Sequence, residues 1–264
     1  MKVRPAAVAG SFYPAVPRRL EAEVRGHLAA ADPPRGRCPK ALVAPHAGYI
    51  YSGPVAGSAF RQLEPWRGAI ARVVLLGPSH FVPFGGLALP SAQAFTTPLG
   101  DLPVAADAAS RLAGLPQVVV ADAPHDREHA LEVELPFLQV ALERFELVPL
   151  VVGEAEAEEV AAVLDRLWGG AETLIVVSTD LSHYRDYATA AALDRSTADA
   201  IVALDVEGIA AGAACGRNPL RGLLLAARRR GLEVAELDLR SSGDTAGGGD
   251  RSARVVGYGA FALA

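Results

Sequence analysis

The chain has 264 residues, of which 51% are hydrophobic, and a formal net charge of −5 at pH 7. This composition allows a large buried core and argues against disorder. The mildly acidic balance argues against extended nucleic-acid binding, and no run reaches the about 18 apolar residues of a membrane helix. Cys38 and Cys215 are far apart, and the first residues have no secretory signal. We therefore expect a cytoplasmic protein with reduced, unpaired cysteines.

Short apolar runs alternate with longer amphipathic segments along the chain. The predicted strands are Lys40–Ala44, Arg72–Leu76, Gln117–Ala121, Glu146–Val152, Thr173–Val177, Glu233–Leu239 and Arg254–Ala262. The predicted helices are Pro17–Ala31, Glu128–Glu143, Ala155–Leu167, Ala188–Ala203 and Pro219–Arg230. This alternation, without a repeat or a composition break, predicts one α/β domain over residues 1–264. Its central sheet should be largely parallel or mixed and flanked by helices.

The predicted helix Glu128–Glu143 has a clear apolar stripe and one interruption. Its core positions are Leu131, Leu135, Leu138 and Leu142, and the opposite face has Glu128, Glu132, Gln139 and Glu143. Pro136 should kink this helix or mark a break near its first turns. His129 and Glu132 are one turn apart, so we expect them together at one end of the helix.

Three of the six histidines follow the carboxyl ends of predicted strands. His46, His80 and His183 each come shortly after an apolar run. Ligands of open α/β sheets bind at that edge, so we expect the three side chains to converge. Asp244 follows a fourth strand in a Gly-containing loop and is expected beside them. His27, inside the first predicted helix, is expected at the surface.

The residue types in this group favour a metal site over ordinary structural roles. Asp180 can be a helix N-cap and Asp244 a turn residue, and either explanation alone is adequate. Imidazole and carboxylate ligands together suit Fe, Zn, Cu or Mn, and two histidines with one carboxylate form the non-haem Fe(II) arrangement. Cys215 precedes a predicted helix and is interpreted as a small buried residue that could line the pocket.

The order of these motifs resembles the Memo family, which includes AmmeMemoRadiSam system protein B in prokaryotes and mediator of cell motility in animals. The resemblance spans almost the whole chain. It lies in the segments 3–14, 44–49, 51–53, 77–80, 178–184, 215–219, 241–244 and 257–260, and in His129 with Glu132.

The resemblance implies a fold similar to the catalytic subunit of class III extradiol dioxygenases, which use non-haem Fe(II). Carried over by position, His46 and His80 are metal ligands, and Asp244 is near the third-ligand position, where animal members have a cysteine. An oxygen ligand there disfavours copper or thiolate redox chemistry. His183, steadied by Asp180, matches the acid/base histidine.

The same resemblance adds His129 and Glu132 to the catalytic candidates, and a radical-SAM protein and an AMMECR-type protein to the candidate partners. The first functional hypothesis is a non-haem Fe(II) oxidoreductase acting on a small substrate, with Zn or Cu as alternative metals. The second is a non-catalytic protein that binds a metal or a peptide. The third is metal-dependent hydrolysis with His183 or Glu132 activating water.

Overall fold

The structure, a computed structural model, describes residues 2–34, 36–246 and 251–264. The strands are β1 (Val3–Arg4), β2 (Ala41–Ala44), β3 (Arg72–Pro78), β4 (Leu87–Leu89), β5 (Ala94–Thr97), β6 (Gly100–Pro103), β7 (Val118–Val120), β8 (Glu146–Val152), β9 (Thr173–Ser178), β10 (His183–Arg185), β11 (Val234–Ser241) and β12 (Val255–Leu263). The helices are α1 (Pro17–Ala30), α2 (Tyr49–Phe60), α3 (Ala108–Arg111), α4 (Ala123–Asp126), α5 (Leu135–Ala141), α6 (Ala157–Leu167), α7 (Tyr187–Val202), α8 (Arg217–Arg229) and α9 (Ser242–Thr245). Short 3₁₀ segments cover Arg61–Trp66 and Glu132–Glu134.

The larger sheet has the strand order β10-β12-β2-β9-β3-β8-β4-β7, with β11 also paired to β12. Its centre, from β2 to β8, is parallel. The strands β12 and β4 join this centre in antiparallel fashion, one on each side. A smaller sheet contains β1, β5 and β6. The predicted α/β architecture with a mixed sheet is therefore confirmed.

The central strands are buried on both faces. In β2, Ala41 and Val43 face one hydrophobic core, and Leu42 and Ala44 face the other. The first core includes α6 and α8, and the second includes α1, α2 and α5. Strands covered on both faces have continuous apolar sequences, which explains why the sequence predicted them well. Among the described residues, no helix is both long and apolar enough to cross a membrane.

The helix α2 was not predicted from the sequence, although it directly follows the loop that contains His46. Nine of its twelve residues are buried, so it has no polar face and no amphipathic period. Gly57 lets α1 approach closely, because a methyl group there would lie 2.6 Å from the His27 carbonyl oxygen. The expectation that His27 is a surface residue is wrong: its side chain is 19% exposed, and its Nε2 is buried between the two helices.

The predicted helix Glu128–Glu143 is shorter than expected. The 3₁₀ turn Glu132–Glu134 leads into α5, which has Pro136 in its first turn. A proline is tolerated in a first turn, where its missing N–H costs no hydrogen bond, so the break falls where Pro136 predicted it. The placement of Glu128 and Glu132 on a polar face is wrong, since both are buried.

Candidate metal site and cleft

His46 is held by the neighbouring strand. It follows β2 by two residues, and Ser178 ends the parallel strand β9, in register with Ala44. The His46 Nδ1 lies 2.7 Å from Ser178 Oγ, which leaves Nε2 for other contacts. The His46 side chain is almost fully buried, and burial, together with the nearby His80, lowers its pKa to about 3. The imidazole is therefore neutral at physiological pH.

His80 is oriented by a buried carboxylate. It follows β3, and its Nδ1 donates to Glu128 Oε1 at 2.8 Å while its backbone N–H donates to Oε2 at 2.6 Å. Burial opposes ionisation of Glu128, but the hydrogen bonds from His80 and the Ala130 amide outweigh it and lower the pKa to about 2. Because the carboxylate accepts from Nδ1, the His80 Nε2 has the free lone pair. This is the usual way in which a carboxylate prepares a metal-binding histidine.

Cys215 provides a third donor atom at the same place. It precedes α8, and its Sγ lies 3.3 Å from His46 Nε2 and accepts a 3.3 Å contact from the Asp180 amide. The ligand atoms of His46, His80 and Cys215 all lie within 4.8 Å of one another. Burial raises the pKa of the Cys215 thiol to about 12, so it is protonated in the metal-free protein.

His129 forms an extension of this group. Its ring stacks on His80 at 4.6 Å and lies 5.5 Å from the His46 ring. Its Nδ1 is 3.5 Å from Glu128 Oε1, and His80, Glu128 and His129 form a second set with metal-ligand spacing. Burial lowers the pKa of His129 to about 4. Its predicted partner Glu132 takes no part in this set.

His183 and Asp180 both line the cleft, but they are not linked as expected. The His183 Nδ1 donates to the Leu181 carbonyl at 2.8 Å. The Asp180 Oδ1 instead accepts from the His46 backbone N–H at 2.8 Å, and burial raises the Asp180 pKa. Asp180 therefore fixes the loop of His46, and the Leu181 carbonyl orients His183.

Two of the expected site residues lie elsewhere. Asp244 accepts hydrogen bonds from Ser241, Tyr187 and Arg251 at 2.8–3.0 Å. It belongs to the capping box of α9 and does not join the histidine group. Asp244 therefore lies outside the group with metal-ligand spacing, and the third member of that group is Cys215.

Glu132 is also outside the cleft. Its carboxylate pairs with Arg4 and accepts from the amides of Ala7 and Val8 at 2.7 and 2.9 Å, and from Tyr13 Oη at 2.5 Å. It is fully buried and anchors the N-terminal segment. These contacts are with the N-terminal segment, apart from the histidine group in which Glu132 was expected to act.

A cleft of about 570 Å³ is lined on one side by His46, His80, His129, Asp180 and His183. Its other walls are largely aromatic, with one arginine: Phe12, Tyr51, Tyr184, Tyr258 and Arg254. Tyr184 has a φ of 56°, in the left-handed region that non-glycine residues rarely adopt. Such backbone conformations concentrate at functional sites, and here it directly follows His183.

Sequence reasoning missed the partners of the histidines rather than the histidines themselves. Cys215 is predicted only as a small buried residue that could line the pocket, although His46 is its neighbour in space. Glu128 is predicted on a polar helix face, and Ser178 has no predicted role beyond its place in the segment 178–184. The available signal was the position of Ser178 and Cys215 at the end of β9 and the start of α8.

Comparison with known proteins gives matches over almost the whole chain. The family model described as Memo-like protein matches residues 4–262. A MEMO1 family protein of Methanopyrus kandleri is 36% identical, with 98% of each chain covered. One of Sulfolobus acidocaldarius is 32% identical, with 97% of each covered. An uncharacterized protein of Escherichia coli K12 has a solved structure with a TM-score of 0.49 and 14% identity, covering 84% of this chain and 99% of its own.

The fold and the site thus define an α/β protein with a histidine-rich cleft at the carboxyl edge of its parallel strands. The full-length match to the family model and to relatives above 30% identity shows the family. The chain belongs to the Memo family.

Proposed function

We propose that the protein is a metal-dependent oxidoreductase for a small hydroxylated substrate, with a divalent transition metal held by His46, His80 and Cys215. The observation that supports this most strongly is the convergence of two imidazoles and one thiol within 4.8 Å, with both imidazoles lining a cleft that also contains His183. In both imidazoles Nδ1 is engaged by a hydrogen bond, and His46 Nε2 lies 3.3 Å from Cys215 Sγ.

The donor set fits a transition metal. With metal–sulfur and metal–nitrogen bonds of about 2.3 and 2.0 Å, tetrahedral ligands lie about 3.5 Å apart. The distance from Cys215 Sγ to His46 Nε2 is 3.3 Å. A thiolate with two imidazoles suits Fe, Zn or Cu rather than Mg or Ca. We propose Fe(II), which would supply oxygen-activating chemistry at this position.

The remaining residues of the cleft can bind the substrate and move a proton. Because His183 Nδ1 donates to Leu181, its Nε2 can accept the proton of a substrate hydroxyl group. Phe12 and Tyr258 provide apolar walls for a flat substrate, and Arg254 offers a cation to an anionic substituent. Radical-SAM and AMMECR-type proteins are the proposed partners.

The proposed ligand set is tested with Co(II) added to protein purified without metal or oxygen. We expect a sulfur-to-cobalt charge-transfer band in the parent protein and its loss in Cys215→Ser. The controls Cys38→Ser and Asp244→Ala should keep the band, since neither residue joins the triad. Co(II) that binds the parent protein without this band, and is lost in Asp244→Ala, would restore the carboxylate as third ligand.

The oxidoreductase activity is tested separately with the Fe(II)-loaded protein. We expect oxygen uptake with aromatic diols that have a carboxylate substituent, and its loss in His183→Gln while Fe(II) stays bound. Metal binding without oxygen uptake from any such compound would favour the non-catalytic binding protein on the same fold.

A further inference from the structure

A buried carboxyl group lies behind the metal site and outside the cleft. Glu134 is fully buried in the 3₁₀ turn before α5. Its Oε1 lies 2.7 Å from Ser178 Oγ, and its Oε2 is buried without a hydrogen-bond partner in the described structure. A carboxylate in this position would leave an ionised oxygen uncompensated, which is very costly in a protein interior.

The hydrogen bonds at Ser178 determine where the protons are. Ser178 Oγ lies 2.7 Å from each of three atoms: Glu134 Oε1, the Ala130 carbonyl oxygen and His46 Nδ1. A serine hydroxyl has one proton to donate and two lone pairs that accept. The Ala130 carbonyl can only accept, so it takes the serine proton. The other two partners must then both donate, which requires a protonated Glu134 and a proton on His46 Nδ1.

We infer that Glu134 is a positioning residue, which holds its proton and, through Ser178, keeps His46 in the Nδ1–H tautomer with Nε2 free to bind a metal. Because Glu134 donates to Ser178 Oγ, the serine hydroxyl donates its own proton to the Ala130 carbonyl oxygen. Without that donor the serine hydroxyl can turn and donate to His46 Nδ1, and the proton of His46 then moves to Nε2, where it blocks a metal. In agreement with this, burial raises the pKa of the Glu134 carboxyl well above its usual range.

This arrangement differs from that of His80. The His80 Nδ1 donates directly to the ionised Glu128, which accepts four N–H groups. The partner of His46 is a neutral chain of serine and carboxylic acid. The two ligands therefore reach the same tautomer by different means, one through a charged acceptor and one through a neutral donor.

The inference is tested first in metal-free protein, so it does not depend on the proposed oxidoreductase activity. Infrared difference spectra are recorded for the parent protein against Glu134→Gln at about pH 7.5, within the physiological range. They should show the carbonyl stretch of one protonated carboxyl group in the parent. Glutamine keeps the shape and can donate an N–H to Ser178. If the difference shows carboxylate bands instead, Glu134 is ionised and the inference is wrong.

The effect on His46 is read from the ring ¹⁵N chemical shifts. We expect the Nδ1–H tautomer in the parent and in Glu134→Gln, and a detectable Nε2–H fraction in Glu134→Leu. Zinc binding should be unchanged in Glu134→Gln and weakened about 10–100-fold in Glu134→Leu, as for other residues that orient a ligand. An unaltered tautomer and unaltered zinc affinity in a folded Glu134→Leu would overturn the positioning role.

The proposed metal site and the proposed role of Glu134 can therefore be disproved independently. If the parent protein binds no zinc or cobalt, the metal site is wrong, while the carboxyl band and the tautomer still decide the role of Glu134. If Glu134→Leu does not fold, the infrared comparison with Glu134→Gln still tests its protonation.

Discussion

At the scale of single residues, each candidate ligand of the site has a hydrogen-bond partner that holds it in place. Glu128 is the clearest case, because its two oxygens accept from the ring and the backbone of His80 and from the amides of His129 and Ala130. Such partners fix both the ring orientation and the tautomer of a ligand. The metal affinity of this protein should therefore depend on residues that never touch the metal.

Replacement of Glu128 tests this dependence. In Glu128→Gln the amide loses the charge that favours the His80 Nδ1–H form, and one amide end can no longer accept. We expect zinc affinity, measured by competition with a chromophoric chelator, to fall about 10–100-fold. The exposed Glu143 provides the control, and Glu143→Gln should bind zinc as the parent does. Equal affinities in the two variants would contradict the proposed role of Glu128.

The histidines of the site could be predicted because they follow apolar strands, a pattern that is local in sequence. Cys215 could not, since its relation to His46 arises from a contact 169 residues apart. Asp244 is predicted from its position after a strand and from the family resemblance, but a capping box with Ser241 satisfies its carboxylate. Long-range pairs of this kind depend on how the elements pack, which local patterns do not contain.

At the scale of elements, the apolar β-branched strands and the amphipathic helices were predicted, and a helix buried on nearly all sides was not. The strand β8 was predicted at its observed bounds, Glu146–Val152. The helix α2 is apolar on nearly every side, rich in small residues and contains Pro54. Neither its period nor its propensity indicated a helix. Its stability comes from packing between α1 and the sheet, which overrides both signals.

The N-terminal segment is an element whose attachment depends on Glu132. In Glu132→Ala the buried Arg4 guanidinium loses its partner, and removal of one member of a buried ion pair costs about 3–5 kcal/mol. We expect the free energy of unfolding in urea to fall by about that amount, while the cobalt band of the folded protein persists. The surface change Glu143→Ala should alter the free energy of unfolding by less than about 0.5 kcal/mol.

The opposite outcome would revive the catalytic assignment of Glu132. It would consist of normal stability in Glu132→Ala together with loss of metal binding or of oxygen uptake.

At the scale of the whole molecule, the sheet order creates the site. The parallel neighbours β2, β9 and β3 end at the same edge, and the loops after them carry His46, Asp180 and His80. The sequence predicted the strands and the use of this edge, but not the order in which the strands pair. Pairing depends on contacts between distant segments, for example β12 inserted between β10 and β2.

The buried histidines make the stability of the whole molecule depend on pH. His125 lies outside the metal site, is 1% exposed and donates from Nε2 to the Ala88 carbonyl at 2.9 Å. Burial lowers its pKa to about 4. Between pH of about 6.5 and 4 the unfolded chain binds a proton at this residue and the folded protein does not. The free energy of unfolding therefore falls with decreasing pH, by about 1.4 kcal/mol per unit from His125 alone.

The variant His125→Gln isolates this contribution, because glutamine can donate to Ala88 but does not titrate. Urea unfolding of metal-free parent and variant at pH values of about 7 and 5, on either side of the ordinary histidine pKa, should show the parent losing more stability than the variant. The other titrating groups, including His46 and His129, cancel in this comparison. Glu134 acts in the opposite direction, since its raised pKa removes stability as the pH rises above about 4.5. If parent and variant lose equal stability over this interval, His125 titrates normally, and the conclusion that its imidazole is buried and neutral is wrong.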